Sequence, residues 1–311
     1  MATTDKRLDI SELDFDDIKT NLKTFLRNQS EFTDYDFEGS GMSALLDLLS
    51  YNTHYLSMNA NLLANEMFID TASLRSSVVS HAKTLGYTPR SVRASKATVD
   101  ITLNDTSVTT ATLARGTKFS TVVDDITYNF LVNTARTKSR VDNVLTFDNV
   151  DLFEGSLITT RYTVDSTNVD QRFIIPDSNA DTTTLTVSIQ NSSTDTTTTV
   201  FTLATDISQV SDTSNSYFLQ EIENGQFEVY FGDGVIGKAL TDNNIVILEY
   251  IVTNKSVANG ASTFTPPGSI SGSSDNSVAT VSSATGGAEA ENIQSIKLNA
   301  PLDYASQGRA V

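Results

Sequence analysis

The chain has 311 residues and a mass of 33.6 kDa, enough for two or three domains with separate hydrophobic cores. Its formal net charge of -17 argues against direct binding to nucleic acid or to an anionic membrane surface, because both need clustered Lys and Arg. Cysteine is absent, which excludes disulfides and thiolate metal sites.

The chain begins with a polar segment that is followed by a short helix. Residues 1–13 lack an apolar pattern, so we expect a flexible arm without the apolar core of a signal peptide. The next residues have helical spacing, with acidic residues at the end where the helix dipole favours negative charge. The apolar positions of this amphipathic helix are Phe15, Ile18, Leu22, Phe25 and Leu26.

A long helix is predicted over residues 41–68, and the rest of the chain is organised around it. One apolar stripe follows a spacing of three and four residues: Leu48, Tyr51, Tyr55, Met58 and Leu62. A second apolar stripe repeats every seven residues: Met42, Leu49, Leu56 and Leu63. A third stripe is polar: Asp47, Ser50, His54, Ser57 and Asn61. The apolar stripes lie about 100° apart, which favours either a core helix or a helix that also packs on another chain.

A third helix is predicted to start near Asp70 and to stop at Gly86. Leu74, Val78 and Leu85 share one face of this helix, and a glycine is typical of the position after a helix end. The three helices together predict a helical bundle domain over residues 14–92.

Beyond residue 92 the apolar period changes from 3.6 to 2, which is typical of strands. Val99, Ile101 and Leu103 alternate with polar residues, and similar segments continue to residue 254. Glu223, Asn224 and Gly225 predict a hairpin, because Asn-Gly favours a tight turn. Residues 93–254 are therefore predicted to form an antiparallel, sandwich-like β domain.

The last part of the chain changes composition. Residues 255–285 are rich in Gly, Ser, Thr and Pro, which predicts an extended, flexible linker. Residues 286–311 are predicted to begin a C-terminal α+β domain, with a helix over residues 288–298 that Pro301 ends. The predicted fold class is α+β and multidomain.

Motifs for catalysis, cofactors or metals are not found. Residues 232–237 match the letters of a dinucleotide-binding motif, but strands rather than a helix are predicted around them. Gly232, Asp233, Gly234 and Gly237 are therefore predicted to form a structural turn. The two histidines lie outside any zinc-ligand spacing. We predict no catalytic residues, no cofactor and no metal site.

Three stretches resemble one protein family. Residues 31–89 resemble the N-terminal part of the large baseplate wedge subunit of T-even-type contractile-tailed phages. Residues 227–260, with the segment FGDG, resemble the wider J-like baseplate family, and residues 286–311 resemble that family's segment "GG…E…I…AP…RAV". The region from about 105 to 215 is the least similar part.

The resemblance implies a structural, non-enzymatic virion protein of the tail baseplate, assembled in the host cytoplasm. It implies helices that bundle with a second copy and with other baseplate wedge proteins, and neighbouring wedges that join in a ring. That ring would surround the tail hub, near sheath-initiating proteins, and its rearrangement would start sheath contraction, without direct contact to nucleic acid or membrane. The residues expected at the helical-bundle interface are Leu45, Leu49, Tyr55, Leu56, Met58, Leu62, Leu63 and Arg75.

Other interpretations stay open at this point. In the family, further sequence follows the segment ending in Val311, so we expect a C-terminally truncated chain. The leucines of the long helix could instead form an internal core. An oligomeric adhesin or carbohydrate-binding β module would show exposed aromatic clusters, and the chain contains no Trp. An enzyme would need acid–base or nucleophilic residues in the β region.

Overall fold

The computed structural model describes residues 14–29, 40–105, 107–141, 145–168, 170–205, 209–222 and 225–306. The predicted N-terminal arm, most of the loop before the long helix and the family-like residues after 306 lie outside these ranges. The chain divides into two compact units, one built from residues up to 87 together with those from 293 onward, and one from residues 88–292. Helices precede a β-rich region, which confirms the predicted α+β class.

The described residues of the helical unit form four helices: α1 (Phe15–Arg27), α2 (Gly41–Glu66), α3 (Arg75–Thr84) and α4 (Ile293–Ser306). The Asp14 carboxylate caps α1 by accepting hydrogen bonds from the backbone N–H groups of Asp16, at 2.7 Å, and Asp17, at 3.2 Å. Gly86 follows the end of α3 with a φ of 79°, a left-handed conformation that glycine adopts without strain. The first two predicted helices are confirmed.

The third helix starts later than predicted, at Arg75 instead of near Asp70. The side chain of Glu66 fixes the turn in between. One of its carboxylate oxygens accepts hydrogen bonds from the Ser73 N–H at 2.8 Å, the Ser73 hydroxyl at 2.6 Å and the Leu74 N–H at 3.2 Å. These bonds hold the negative charge at the N-terminus of α3, where the helix dipole favours it.

Replacing Glu66 by Gln is expected to destabilise the helical unit by about 1 kcal/mol at neutral pH. Burial raises the pKa of Glu66, but hydrogen bonds from Ser73, Ser77 and Leu74 outweigh burial and lower the pKa from 4.5 to about 2. Such a carboxylate stabilises the fold fully above pH 4.5 and loses this contribution as the pH falls toward 2. Thermal unfolding at several pH values should show the difference between wild type and variant shrinking below pH 4.5. A difference that does not change with pH would contradict the role of the charge.

Helix α4 packs against α3, with Ile296 and Ala300 fully buried in their shared core. The prediction that Pro301 ends this helix is wrong, because α4 starts at Ile293 and continues through Pro301 to Ser306. Proline removes one backbone hydrogen bond, and here the buried Ala300 beside it keeps the helix in place. Of the segment predicted to begin a further domain, residues 293–306 thus pack within the helical unit.

The first β sheet has five strands in the order β14-β1-β6-β4-β3, and all its pairs are antiparallel. Its strands are β1 (Lys96–Leu103), β3 (Lys118–Val123), β4 (Ile126–Val132), β6 (Leu145–Glu154) and β14 (Asn276–Thr285). A separate pair joins β2 (Thr110–Leu113) to β5 (Arg136–Ser139). Val99, Ile101 and Leu103 of β1 are fully buried, which confirms the predicted alternation.

The second sheet has seven strands in the order β7-β13-β9-β10-β11-β12-β8. They are β7 (Ser156–Thr163), β8 (Phe173–Ile175), β9 (Ala180–Gln190), β10 (Thr198–Leu203), β11 (Ser216–Glu221), β12 (Phe227–Phe231) and β13 (Ile245–Val252). Its pairs are antiparallel except β10–β11, which is parallel. Each sheet buries its own apolar cluster, so the β unit has two cores.

The predicted hairpin joins β11 to β12. Tyr217 pairs with Phe231 and Glu221 with Phe227, so the two strands run antiparallel toward the turn. Glu223 and Asn224 lie outside the described residues, and Gly225 has a φ of 74°. The pairing confirms the hairpin.

The prediction of a flexible linker over residues 255–285 is wrong. A 3-10 turn (Lys255–Ala258) opens this segment, and β14 closes it by pairing with β1. Between them, Ala261, Phe264 and Ile270 are buried in the core of the first sheet. Backbone pairing and a few apolar anchors order a segment whose composition is typical of a linker.

Candidate partner interface

Helix α2 carries the predicted interface, and its start is fixed by a side-chain cap. The Ser40 hydroxyl accepts a hydrogen bond from the Ser43 N–H at 3.0 Å, the arrangement preferred at a helix N-terminus. The helix then runs for 26 residues without an internal glycine or proline, residues that would weaken it. It offers a surface of about 39 Å in length at 1.5 Å per residue.

The polar stripe of α2 is the side that packs within the helical unit. Ser50 is fully buried, and Asn61 is buried near the other end. His54, between them, is half-buried. The carboxylate of Asp47 pairs with the Lys19 ammonium of α1 at 2.5 Å. The third stripe of the sequence pattern is therefore the inward face.

Both apolar stripes of α2 are exposed from Leu45 onward, whereas Met42 in the first turn is half-buried. The exposed fraction ranges from 47% at Tyr55 to 69% at Leu63. Among the leucines of this fully described helix, Leu46 alone is buried. We define the α2 apolar surface by its exposed large apolar residues: Leu45, Leu48, Leu49, Tyr51, Tyr55, Leu56, Met58, Leu62 and Leu63. This set contains all the predicted interface residues of α2 and adds Leu48 and Tyr51.

This arrangement is the inverse of a helix on a monomeric globule, where apolar residues face the core and polar residues face water. Burying one exposed leucine on a partner contributes roughly 1.5–3 kcal/mol. Several such residues together offset the cost of association, which is of order 4–15 kcal/mol. A large contiguous apolar surface marks an interaction site, and within the described part of the chain these leucines are exposed and belong to no core.

Two tyrosines form a pair on the α2 apolar surface. The ring centroids of Tyr51 and Tyr55 are 4.7 Å apart, with an interplanar angle of 63°. The Tyr51 hydroxyl donates a hydrogen bond to the Tyr55 hydroxyl at 3.0 Å, and this bond raises the pKa of Tyr51. Because the rings already restrain each other, they lose little freedom when a partner covers them, as is typical of residues that dominate interfaces.

Exposed apolar residues near the helix ends were missed by the sequence analysis. Met67 and Phe68 directly follow α2, and Phe25 lies on α1. Of these three, only Phe25 belonged to a predicted apolar pattern, that of the first amphipathic helix. Arg75 opens α3, is half-buried and already interacts within the chain. Its role between chains stays a prediction.

Gly232, Asp233, Gly234 and Gly237 form a turn between β12 and β13. The φ angles of Gly234 and Gly237 are 88° and 84°. A Cβ on Gly232 would lie 2.1 Å from the carbonyl oxygen of Ile236, so only glycine fits there. The Asp233 carboxylate accepts hydrogen bonds from two backbone N–H groups of the turn, at 2.9 and 3.1 Å, and they lower its pKa. The continuously described stretch from 225 to 252 contains no helix that could bind a dinucleotide phosphate.

The described ranges also bear on metal binding and on membrane insertion. There, no group of three or more His, Asp or Glu side chains is placed to hold a metal ion. No helix in those ranges is both long and apolar enough to cross a membrane. The candidate site therefore remains the α2 apolar surface, which offers apolar contact area to a partner.

The helical part of the chain matches a known family. Residues 14–87 match the family described as "Baseplate wedge protein gp6-like, helical domain". The matched range contains α1, α2 and α3, and so includes the whole α2 apolar surface.

The similarity extends into the β unit. Over 266 residues the chain is 33% identical to "Baseplate wedge protein gp6" of Enterobacteria phage T4. The alignment covers 79% of this chain but 39% of that relative, so the chain spans well under half of its length. A chain of the cryo-EM structure of the anti-feeding prophage (AFP) baseplate, 6-fold symmetrised, matches with a TM-score of 0.32 and 11% identity, covering 97% of this chain and 62% of that one. The predicted resemblance to baseplate wedge subunits is confirmed, as is the predicted location in the virion tail.

Proposed function

We propose that this baseplate wedge protein of a contractile phage tail uses the α2 apolar surface to bundle with a second copy of itself and with another wedge protein. The inverted burial of α2, polar inward and apolar outward, carries this proposal. Asn52 and Asn59 lie exposed among the leucines of the second stripe. Polar residues inside an apolar seam fix the register and the choice of partner in helical bundles.

Two apolar stripes give α2 room for two neighbouring helices. The stripe through Tyr55 and the stripe through Leu56 lie about 100° apart around the helix axis. Helix α1 contacts α2 through the Lys19–Asp47 pair, on the polar side. A helix in a bundle contacts its nearest neighbours on adjacent faces, and the described residues leave two such faces of α2 uncovered.

In this proposal the helical bundle holds the wedge together. The role of the chain is structural, not enzymatic. Neighbouring wedges would join in a ring around the tail hub, in contact with sheath-initiating proteins, and rearrangement of the ring would start sheath contraction. Support comes from the relative's name, which identifies that protein as a baseplate wedge component. The match in the helical domain supports a bundle role for the helices in particular.

Native mass spectrometry of the chain co-expressed with the proteins of neighbouring genes tests the proposal. We expect a heteromer that contains two copies of this chain and another wedge protein, because α2 has two open apolar faces. The chain expressed alone serves as the control for self-association. A stable monomer that binds none of the neighbouring proteins would contradict the proposal.

A further inference from the structure

Glu154 is a buried acid at the point where the chain leaves the first β sheet for the second. It is the last residue of β6 and is 1% exposed. One carboxylate oxygen accepts hydrogen bonds from the Thr253 hydroxyl at 2.7 Å and the Asn254 N–H at 2.9 Å. The other accepts a hydrogen bond from the Asn254 side-chain amide at 2.8 Å. Glu154 thereby ties the end of β6 to the segment that follows β13.

Across the described ranges, no Lys, Arg or His pairs with this carboxylate. Lys255 directly follows Asn254, but its ammonium lies 2.6 Å from the carboxylate of Glu289 instead. A fully buried carboxylate is rare unless a cation or a metal accompanies it, because removing a charge from water costs several kcal/mol. The three hydrogen bonds occupy some of the acceptor positions of the carboxylate. They supply no positive charge to balance its negative charge.

A cavity of about 390 Å³ opens beside this charge. Its lining includes Ile126, Tyr128, Asn129, Glu154, Ser156 and Val257. Ile126 and Val257 are more than half exposed and form an apolar rim, while Glu154 lies deepest. The cavity thus has an apolar entrance and a negatively charged floor.

We infer that this cavity binds a Lys or Arg side chain of a partner protein. The aliphatic stem of such a side chain packs against Ile126 and Val257, and the cationic head reaches Glu154. Asn129 and Ser156, which are exposed, supply further polar groups to the lining. A single carboxylate is too small a ligand set for a metal ion, whereas it is sufficient for one ammonium or guanidinium group. The net charge of -17 favours a basic partner in addition.

The cavity lies where the two sheets of the β unit connect. Ile126 and Tyr128 belong to β4 of the first sheet, Ser156 begins β7 of the second, and Val257 follows β13. The Gly155 N–H also donates a hydrogen bond to the Asn129 carbonyl oxygen at 2.9 Å across the same junction. A partner side chain bound here therefore contacts both sheets at their connection.

Short blocked peptides test the inference on the intact chain. Acetyl-Gly-Arg-Gly-amide is the probe, and the same peptide with citrulline in place of arginine is its neutral, nearly isosteric control. We expect the arginine peptide to bind about tenfold more tightly, in line with the value of a charge-assisted hydrogen bond. Ligand-observed NMR titration measures both affinities in the millimolar range.

Two lysine substitutions at exposed positions locate the site without disturbing the core. Val257→Lys places an ammonium at the rim and should abolish binding of the arginine peptide by occupying the cavity. Val122→Lys, at an exposed position of β3 outside the cavity lining, should leave binding unchanged. Equal binding of the arginine and citrulline peptides, or unchanged binding after Val257→Lys, would overturn the inference. Binding of free n-butylguanidinium but not of the peptide would replace the protein partner by a small cation and overturn it likewise.

Discussion

Leu49→Asp and Leu56→Asp are each expected to block assembly with partner helices while the β unit stays folded. Both leucines lie on the seven-residue stripe of the α2 apolar surface and are more than half exposed, so a carboxylate costs the isolated chain little. In a bundle the same carboxylate would be buried among apolar side chains, at a cost of about 3 kcal/mol or more. Binding should weaken by about 150-fold for each substitution.

Native mass spectrometry of the co-expressed proteins measures this loss, and circular dichroism follows the unfolding of the β unit. Leu203→Asp is the matched control, since Leu203 is an exposed leucine of β10 in the other unit. This control variant should assemble as the wild type does. Assembly of Leu49→Asp at the wild-type level would remove the second stripe of α2 from the interface.

Helix α2 shows what the spacing of apolar residues can and cannot predict. Apolar spacing predicted the helix and its three stripes, because the 3.6-residue period is a local property of the chain. It left open whether Leu49 and Leu56 belong to a core or to an interface, since both uses need the same pattern. The inward face is set instead by residues that pack within the helical unit, three of them small or polar: Ser43, Ser50 and Asn61, together with Leu46.

In the β unit, too, the local sequence pattern predicted only some of the elements. Strands with strong alternation, such as β1, were predicted, whereas β14 and β10 were not. β14 is rich in Ser, Thr and Ala and is held by pairing with β1 from the opposite end of this unit's sequence. Composition reports on local preference, while strand pairing depends on distant partners.

The cavity at Glu154 was beyond prediction for the same reason. Its lining comes from β4, from the connection between β6 and β7, and from the segment after β13. No motif links these three segments in the sequence, and a single Glu at a strand end is typical of a solvated position. Only the folded chain brings an apolar rim and a buried charge together.

Gly155→Ala is expected to be the most destabilising single-methyl substitution at this junction. Gly155 has a φ of 134°, and a Cβ there would lie 2.2 Å from the Val252 carbonyl oxygen and 2.8 Å from the Ile251 side chain. Backbone strain of this kind costs about 1–3 kcal/mol. The clash adds to it, because Val252 is held by pairing with Ser156 at the start of β7. The sum should exceed about 3 kcal/mol of unfolding free energy.

Urea unfolding of the intact chain measures the effect, with Gly260→Ala as the matched control. Gly260 also has a positive φ, 92°, but no atom lies within 4 Å of the place that an added methyl group would take, so this variant reports backbone strain alone. Its cost should be about 1 kcal/mol. The difference in unfolding free energy between the two variants then measures the contribution of the clash between the added methyl group and β13. Equal losses of unfolding free energy would mean that the junction accommodates an added methyl group, and would contradict a destabilising clash with β13.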